Sequence, residues 1–163
     1  LANMTPSQIG EHLSNFSPDQ LQGVVNNTKG VYHEMLYVDS VNSSGLETES
    51  ALHPDVNNPE SDVVFSNDGE IYNEIQLKAT DSVSYVNDHF EKYPNIDAVA
   101  TEEVASKIDG VESSGFSNSI LEKDVSTGSE QLISNSNVSD AVTEEGIGLG
   151  PVSIITGLLF GIF

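Results

Sequence analysis

The tripeptide Asn67-Asp68-Gly69 constrains the fold of this chain more than any other short segment. Asp-Gly and Asn-Gly pairs are favoured in the tight turns that join antiparallel strands. An apolar run over 63–65 follows Asp62 and precedes the tripeptide, and residues 70–79 after it alternate apolar with polar side chains. The sequence therefore predicts a β-hairpin, with one strand on each side of the turn.

Helix and strand signals on either side of this hairpin predict a mixed α/β domain. Thr5-Pro6 and Ser17-Pro18 each have the hydroxyl cap and first-turn proline of a helix start, and the second helix is expected to break at 26–28. The other expected elements are a short strand near 50–53, a helix over about 81–93, a strand over 96–100 and a short helix over 101–108. The predicted fold class is α/β (α+β), a small mixed sheet flanked by helices, with a C-terminal apolar, glycine-rich tail.

The charge balance limits the partners of this chain. It has 26 Asp and Glu against 5 Lys and no arginine, which gives a net charge of -21. Nucleic-acid binders normally present a basic face, because neutralising phosphates releases counterions and drives association. The composition instead favours divalent cations or a basic protein partner. With no cysteine, disulfides and thiolate metal sites are excluded.

Composition divides the chain into four predicted segments. They are an N-terminal helical segment 1–28, an α/β core 29–108, an acidic Ser/Gly-rich linker 109–145 and an uncharged apolar segment 146–163. The last segment has the glycine spacing of closely packed helices, at Gly157 and Gly161. Two interpretations stay open for it: association with a membrane, or self-association between copies of the chain.

Four polar residues stand in a characteristic order around the hairpin. Glu34 lies on the second predicted helix, Asp62 at the start of a strand, and Gln76 and Lys78 on the next strand in the tripeptide Gln76-Leu77-Lys78. This series resembles the signature of the restriction-endonuclease-like (PD-(D/E)xK) nuclease superfamily. The segment 59–62, Pro-Glu-Ser-Asp, stands where that superfamily has its Pro-Asp element.

The resemblance covers residues 29–100 and implies a restriction-endonuclease-like core with a metal-dependent site. It implies that Glu34, Asp62 and Gln76 hold Mg²⁺, which activates water for phosphodiester hydrolysis. It also implies that Lys78 orients the nucleophile or offsets negative charge, and that the substrate is a nucleic acid. By period-two alternation Gln76 and Lys78 share one strand face, with Ile75 and Leu77 towards the core.

Two departures from the family pattern support an alternative function. Gln76 replaces the usual acid and is a weaker metal ligand, and the chain has no arginine to hold phosphates. Glutamine at this position resembles some known branches of the superfamily, and the two departures together leave a degenerate, inactive member as an alternative. A lysine on such a strand is also commonly part of a solvated face. The alternative is a catalytically inactive interaction or structural module that forms a membrane-bound or filamentous complex through its tail. The four dispersed histidines receive no catalytic role.

Overall fold

The computed structural model describes residues 5–45, 47–55, 58–134 and 150–160. One compact unit is formed by His33–Ser119, and a second unit combines the chain up to Tyr32 with the chain from Ile120 onwards. The predicted core 29–108 overlaps the first unit over residues 33–108, whereas residues 29–32 belong to the second unit. The strands are β1 (Glu49–Leu52), β2 (Val63–Asn67), β3 (Glu70–Lys78), β4 (Asp97–Ala100) and β5 (Glu112–Ser113). The helices are α1 (Pro6–Ser14), α2 (Pro18–Ser43), α3 (Val83–Lys92), α4 (Glu102–Ala105), α5 (Asn118–Ser134) and α6 (Pro151–Phe160).

The five strands form one mixed sheet in the order β1-β2-β3-β4-β5. The pairs β1–β2 and β2–β3 are antiparallel, whereas β3–β4 and β4–β5 are parallel. Asp68 and Gly69 have φ of 50° and 81°, so the predicted turn is confirmed by two successive left-handed residues. The predicted fold class is confirmed as a mixed α+β sheet flanked by helices.

Alternating side chains give the sheet two apolar faces. On one face Ile75 and Leu77 pack with Val63 and Val99, and Tyr37 of α2 packs against them. On the other face the small side chains of β4 pack against α3 and α4, in a cluster of Val86, Ala98, Ala100 and Val104. The prediction that Ile75 and Leu77 face the core is therefore confirmed.

Helix α2 runs unbroken from Pro18 to Ser43, so the predicted break at 26–28 is wrong. The low helix propensity of Asn-Asn-Thr is outweighed by burial along one side of the helix. Val25, Thr28, Lys29 and Tyr32 have helical spacing and are all buried. Lys29 keeps its charge paired, because its Nζ lies 3.4 Å from Oε2 of Glu122.

Much of the predicted linker 109–145 is also ordered structure. Helix α5 occupies Asn118–Ser134, and it buries Leu121, Val125 and Leu132 along one side. Its first turn is capped by the carboxylate of Glu103, which accepts hydrogen bonds from the Asn118 and Ser119 backbone N–H groups at 2.8 and 3.2 Å. These bonds, with one from the Ser117 hydroxyl, lower the pKa of Glu103 to about 2 against the opposing effect of burial. Residues 135–145 lie outside the described residues.

Part of the predicted apolar segment 146–163 forms helix α6. Ile154 and Ile155 in this helix are fully buried, and α6 contacts α1 within the same unit. Among the described residues, no helix combines the length and the apolar character needed to span a bilayer. Residues 146–149 and 161–163 of the segment lie outside the described ranges.

Gly10 and Gly23 provide a matched pair of helix substitutions. A Cβ at Gly10 would lie 1.8 Å from the Leu132 carbonyl oxygen, whereas a Cβ at Gly23 would meet nothing within 4 Å. We expect Gly10→Ala to lower the free energy of unfolding by about 2 kcal/mol or more, since backbone cannot rotate away as a side chain can. We expect Gly23→Ala to raise it by about 1 kcal/mol through helix propensity.

Urea denaturation of both variants measures these changes. Equal stability of the Gly10→Ala variant and the wild type would contradict the close approach of α1 to α5.

Candidate functional site

Asp62 is held at the entry to β2 by backbone bonds on both sides. Its N–H donates to the Ile75 carbonyl at 2.9 Å, and its carbonyl accepts from the His53 N–H at 2.7 Å. Its carboxylate Oδ2 accepts from the Leu77 backbone N–H at 2.8 Å and from the Gln76 side-chain amide. The side chain therefore has a fixed position at one end of the sheet.

Gln76 and Lys78 lie on the face of β3 that packs against α3. They pair in register with Ala98 and Ala100 of β4, which belong to the apolar cluster on that face. Gln76 is only 7% exposed, so this part of β3 is not a solvated sheet face. A buried amide needs hydrogen-bond partners, and the carboxylate of Asp62 is one of them.

Glu34 of α2 joins this group through electrostatics. Burial and, to a smaller extent, the nearby Asp62 charge raise the pKa of Glu34 to about 8 against the opposing effect of Lys78. At neutral pH the Glu34 carboxyl is therefore mostly protonated. The four residues predicted from the sequence thus come together at one end of the sheet.

The charges at the site are partly desolvated. Burial raises the pKa of Asp62, whereas the Leu77 N–H, the Lys78 ammonium and the Gln76 amide act to lower it. Burial likewise lowers the pKa of Lys78, against the stabilising charges of Asp62 and Glu34. Titratable groups that are buried and coupled in this way are common at functional sites.

Two further contacts position the elements that carry these residues. His33, next to Glu34 in the sequence, is fully buried with its Nε2 2.7 Å from the Ser114 hydroxyl, which anchors α2 to the segment after β5. Beyond Lys78, the Thr101 hydroxyl donates to the Thr80 carbonyl at 2.5 Å. The ends of β3 and β4 are thereby tied together beside the site.

A polar cluster supports the loop that leads into Asp62. The Ser61 hydroxyl donates to Oε2 of Glu74 at 2.6 Å, and the Asn58 amide lies 3.3 Å from the same hydroxyl. His53 Nε2 lies 3.9 Å from the Glu74 carboxylate. Glu74 therefore holds the residue before Asp62 in place.

Sequence reasoning missed three residues of α3 that lie beside the site. The Lys78 Nζ is 5.1 Å from the ring centroid of Tyr85, and a charge on His89 lowers the pKa of Asp62. Lys92 acts on Lys78 as a like charge and lowers its pKa. The spacing 85, 89 and 92 places the three residues on one side of a helix, which is the signal that could have found them.

The donor set at this site suits a hard divalent cation. Asp62 and Glu34 supply carboxylates, and Gln76 has an amide oxygen while its nitrogen donates to Asp62. A cation between the two carboxyls would also relieve the repulsion that raises the pKa of Glu34. No group of three or more His, Cys, Asp or Glu side chains arranged for a metal occurs among the described residues. An ion here would therefore take water for the rest of its ligands.

Comparison with known proteins adds no relative. The chain matches no protein-family model, no curated protein and no solved structure.

The raised pKa of Glu34 predicts a pH-dependent stability. Between its ordinary value of 4.5 and about 8, the unfolded chain ionises Glu34 while the folded chain keeps the proton. Folding then takes up a proton, so this carboxyl makes stability fall as the pH rises through that window. We expect Glu34→Gln, which cannot ionise, to be more stable than the wild type by about 2 kcal/mol or more at pH 8, with little difference at pH 4.

Chemical denaturation across this pH range measures the effect. The control is Asp39→Asn, an exposed carboxylate on the same helix, which should shift stability little at any pH. Parallel pH profiles for the wild type and Glu34→Gln would rule out a half-buried, protonated Glu34.

Proposed function

We propose that the His33–Ser119 unit is a metal-dependent phosphodiesterase centre of the restriction-endonuclease-like kind. The observation that carries the proposal is the meeting of Glu34, Asp62, Gln76 and Lys78 at one end of the sheet, with Asp62 bonded to Gln76 and electrostatically coupled to the other two. These residues belong to three separate elements, so chance proximity along the chain does not explain their meeting.

The order of the elements supports the same proposal. The resemblance implies a helix, a hairpin, a crossover helix and a strand, and α2, β2–β3, α3 and β4 follow that order. The hairpin strands β2 and β3 are antiparallel, and the crossover through α3 returns β4 parallel to β3. The site lies at the end of β3 where Lys78 stands, and α3 leaves the sheet from that same end.

Each side chain has a role that its surroundings favour. A bound Mg²⁺ or Mn²⁺ would supply an activated water and stabilise charge on the phosphate. Asp62 is oriented by the Leu77 N–H, so its carboxylate meets a cation without reorganisation. In its ionised form Glu34 would help to hold the cation, and Lys78 would offset the negative charge of the phosphate.

The net charge of -21 restricts how such a centre meets its substrate. The protein's field repels a polyanion at low ionic strength, so association is slow unless salt screens the repulsion or a partner supplies basic contacts. We therefore propose that activity on nucleic acid increases with moderate salt, in contrast to most nucleases with basic clefts.

Replacement of Lys78 tests the catalytic proposal. We expect the wild type to cleave nucleic acid in the presence of Mg²⁺ or Mn²⁺, and we expect a chelator to abolish this cleavage. We expect Lys78→Ala to lose about 10²-fold or more in rate, because a positioned charge at the reacting phosphate is removed. The matched control is Lys107→Ala, which removes an exposed lysine from the same unit.

Activity is measured on labelled single- and double-stranded DNA and RNA, with circular dichroism to verify that each variant is folded. A pure wild-type protein that is inert with both metals on all four substrates would overturn the catalytic proposal.

Cation binding has its own signature at this site. Because Glu34 holds a proton at neutral pH, we expect Mn²⁺ binding to release up to one proton per ion at pH 7. Calorimetry in two buffers with different ionisation enthalpies measures that release. Glu34→Gln should bind Mn²⁺ more weakly and release no proton, whereas equal proton release from both proteins would contradict the assignment of Glu34 as a ligand.

A second candidate function is an inactive interaction module with a basic protein partner or a membrane-bound assembly. The observation that favours it is the charge of -21 with no arginine, which suits basic protein surfaces better than phosphates. Association through 146–163 is part of this candidate, although Ile154 and Ile155 of that segment pack inside their own unit. The cleavage assay separates the two functions, since only the first predicts loss of an activity in Lys78→Ala.

A further inference from the structure

One side of α3 next to the proposed site combines aromatic rings with positive charge. Tyr85 is 54% exposed, with its ring centroid 5.1 Å from the Lys78 Nζ. Two turns further along, the Lys92 Nζ lies 5.0 Å from the ring centroid of Tyr93. Two lysine–tyrosine pairs therefore lie along α3, one with Lys78 of β3 and the other at the C-terminal end of the helix, and the charges of Lys78 and Lys92 interact with each other.

The exposed ring of Tyr85 is not required by the core. Val86 and Phe90 provide the contacts of α3 with the sheet, and Val86 is fully buried. An exposed aromatic ring beside lysines is the arrangement by which proteins hold unpaired nucleobases, since each base has a π-face that can stack. Lysines at the same place contact the phosphate attached to that base.

The charges around this patch limit the length of strand it can hold. Asp88 and Glu91 are exposed on the same helix, so a backbone that extends past the patch meets negative charge. A duplex also hides the faces of its bases, and none of them could stack on Tyr85 without being flipped out. A short stretch of unpaired nucleotides can contact the Tyr85 ring and both lysines with the least repulsion from these acidic side chains.

Resting on the proposed phosphodiesterase function, we infer that the substrate is the unpaired end of a nucleic-acid strand, with one base stacked on Tyr85 and the adjacent phosphate on Lys78 and Lys92. Tyr85 is then a substrate-binding residue, and Lys92 helps to select the scissile phosphate. The contact extends over a few nucleotides only.

Binding and cleavage of labelled oligothymidylates test this inference. Binding is measured by fluorescence anisotropy with Ca²⁺ and cleavage with Mn²⁺, for strands of 3, 6 and 20 nucleotides and for a 20-base-pair duplex. The variants are Tyr85→Leu, Tyr85→Phe and Lys92→Gln, and the matched control is Tyr72→Leu. Tyr72 is exposed like Tyr85, but it belongs to β3. It lies six residues before Lys78 along that strand, about 20 Å away.

We expect the wild type to prefer single strands and to gain little affinity beyond about six nucleotides. Tyr85→Leu should lose about 10-fold in affinity for the single strands, whereas Tyr85→Phe, which keeps the ring, and Tyr72→Leu should remain near the wild type. Lys92→Gln should also weaken binding of the single strands, because it removes one of the two lysines that contact the phosphate.

Equal binding of single strands by Tyr85→Leu and the wild type would overturn the inference, as would a preference for the duplex. If Tyr85 proved unnecessary for binding but cleavage still depended on Lys78, the proposed function would stand and the inference about Tyr85 would fail. If the wild type cleaves nothing but binds oligothymidylate through Tyr85, the binding site stands and the catalytic proposal fails. A wild type that neither cleaves nor binds any of these strands would overturn both the inference and the proposed function.

Discussion

The geometry of the site depends on the hydrogen bonds that the carboxylate of Asp62 accepts from β3. One oxygen accepts from the backbone of Leu77 and from the side chain of Gln76, so a residue just before β2 is bonded to two successive residues of β3. These bonds extend the hairpin past its last backbone ladder pair. They also fix the direction of Gln76, and with it the end of the strand that presents Lys78.

Burial of these charges costs stability that the rest of the unit has to supply. Two carboxyls and an ammonium are partly removed from water at one end of the sheet, and the protein responds by keeping Glu34 protonated. Such an arrangement is less stable than an apolar one of the same size. Sites that carry function commonly have this cost, because pre-organised charge is what binds a cation or a phosphate.

The candidate site was predictable where it depends on strand periodicity. Gln76 and Lys78 share a face because side chains alternate. Asp62 reaches them through the hairpin register, which the tight turn begins and an irregularity between Phe65 and Ser66 shifts by one residue. The residues of α3 were not predictable in the same way. Helical spacing puts Tyr85 and Lys92 on one side of α3, but they lie beside Lys78 only because the crossover places α3 on that face of the sheet.

Local chemistry in the sequence determined the helix caps, the Asp68–Gly69 turn and the antiparallel strand pair, since each depends on a few neighbouring residues. Tertiary structure alone decided that α2 continues through Asn-Asn-Thr and that residues 118–134 form a helix, because burial of one side of each helix outweighs weak local propensity. It also decided the protonation of Glu34. That property depends on burial and on the charges of Asp62 and Lys78, which are distant in the sequence and meet only in the fold.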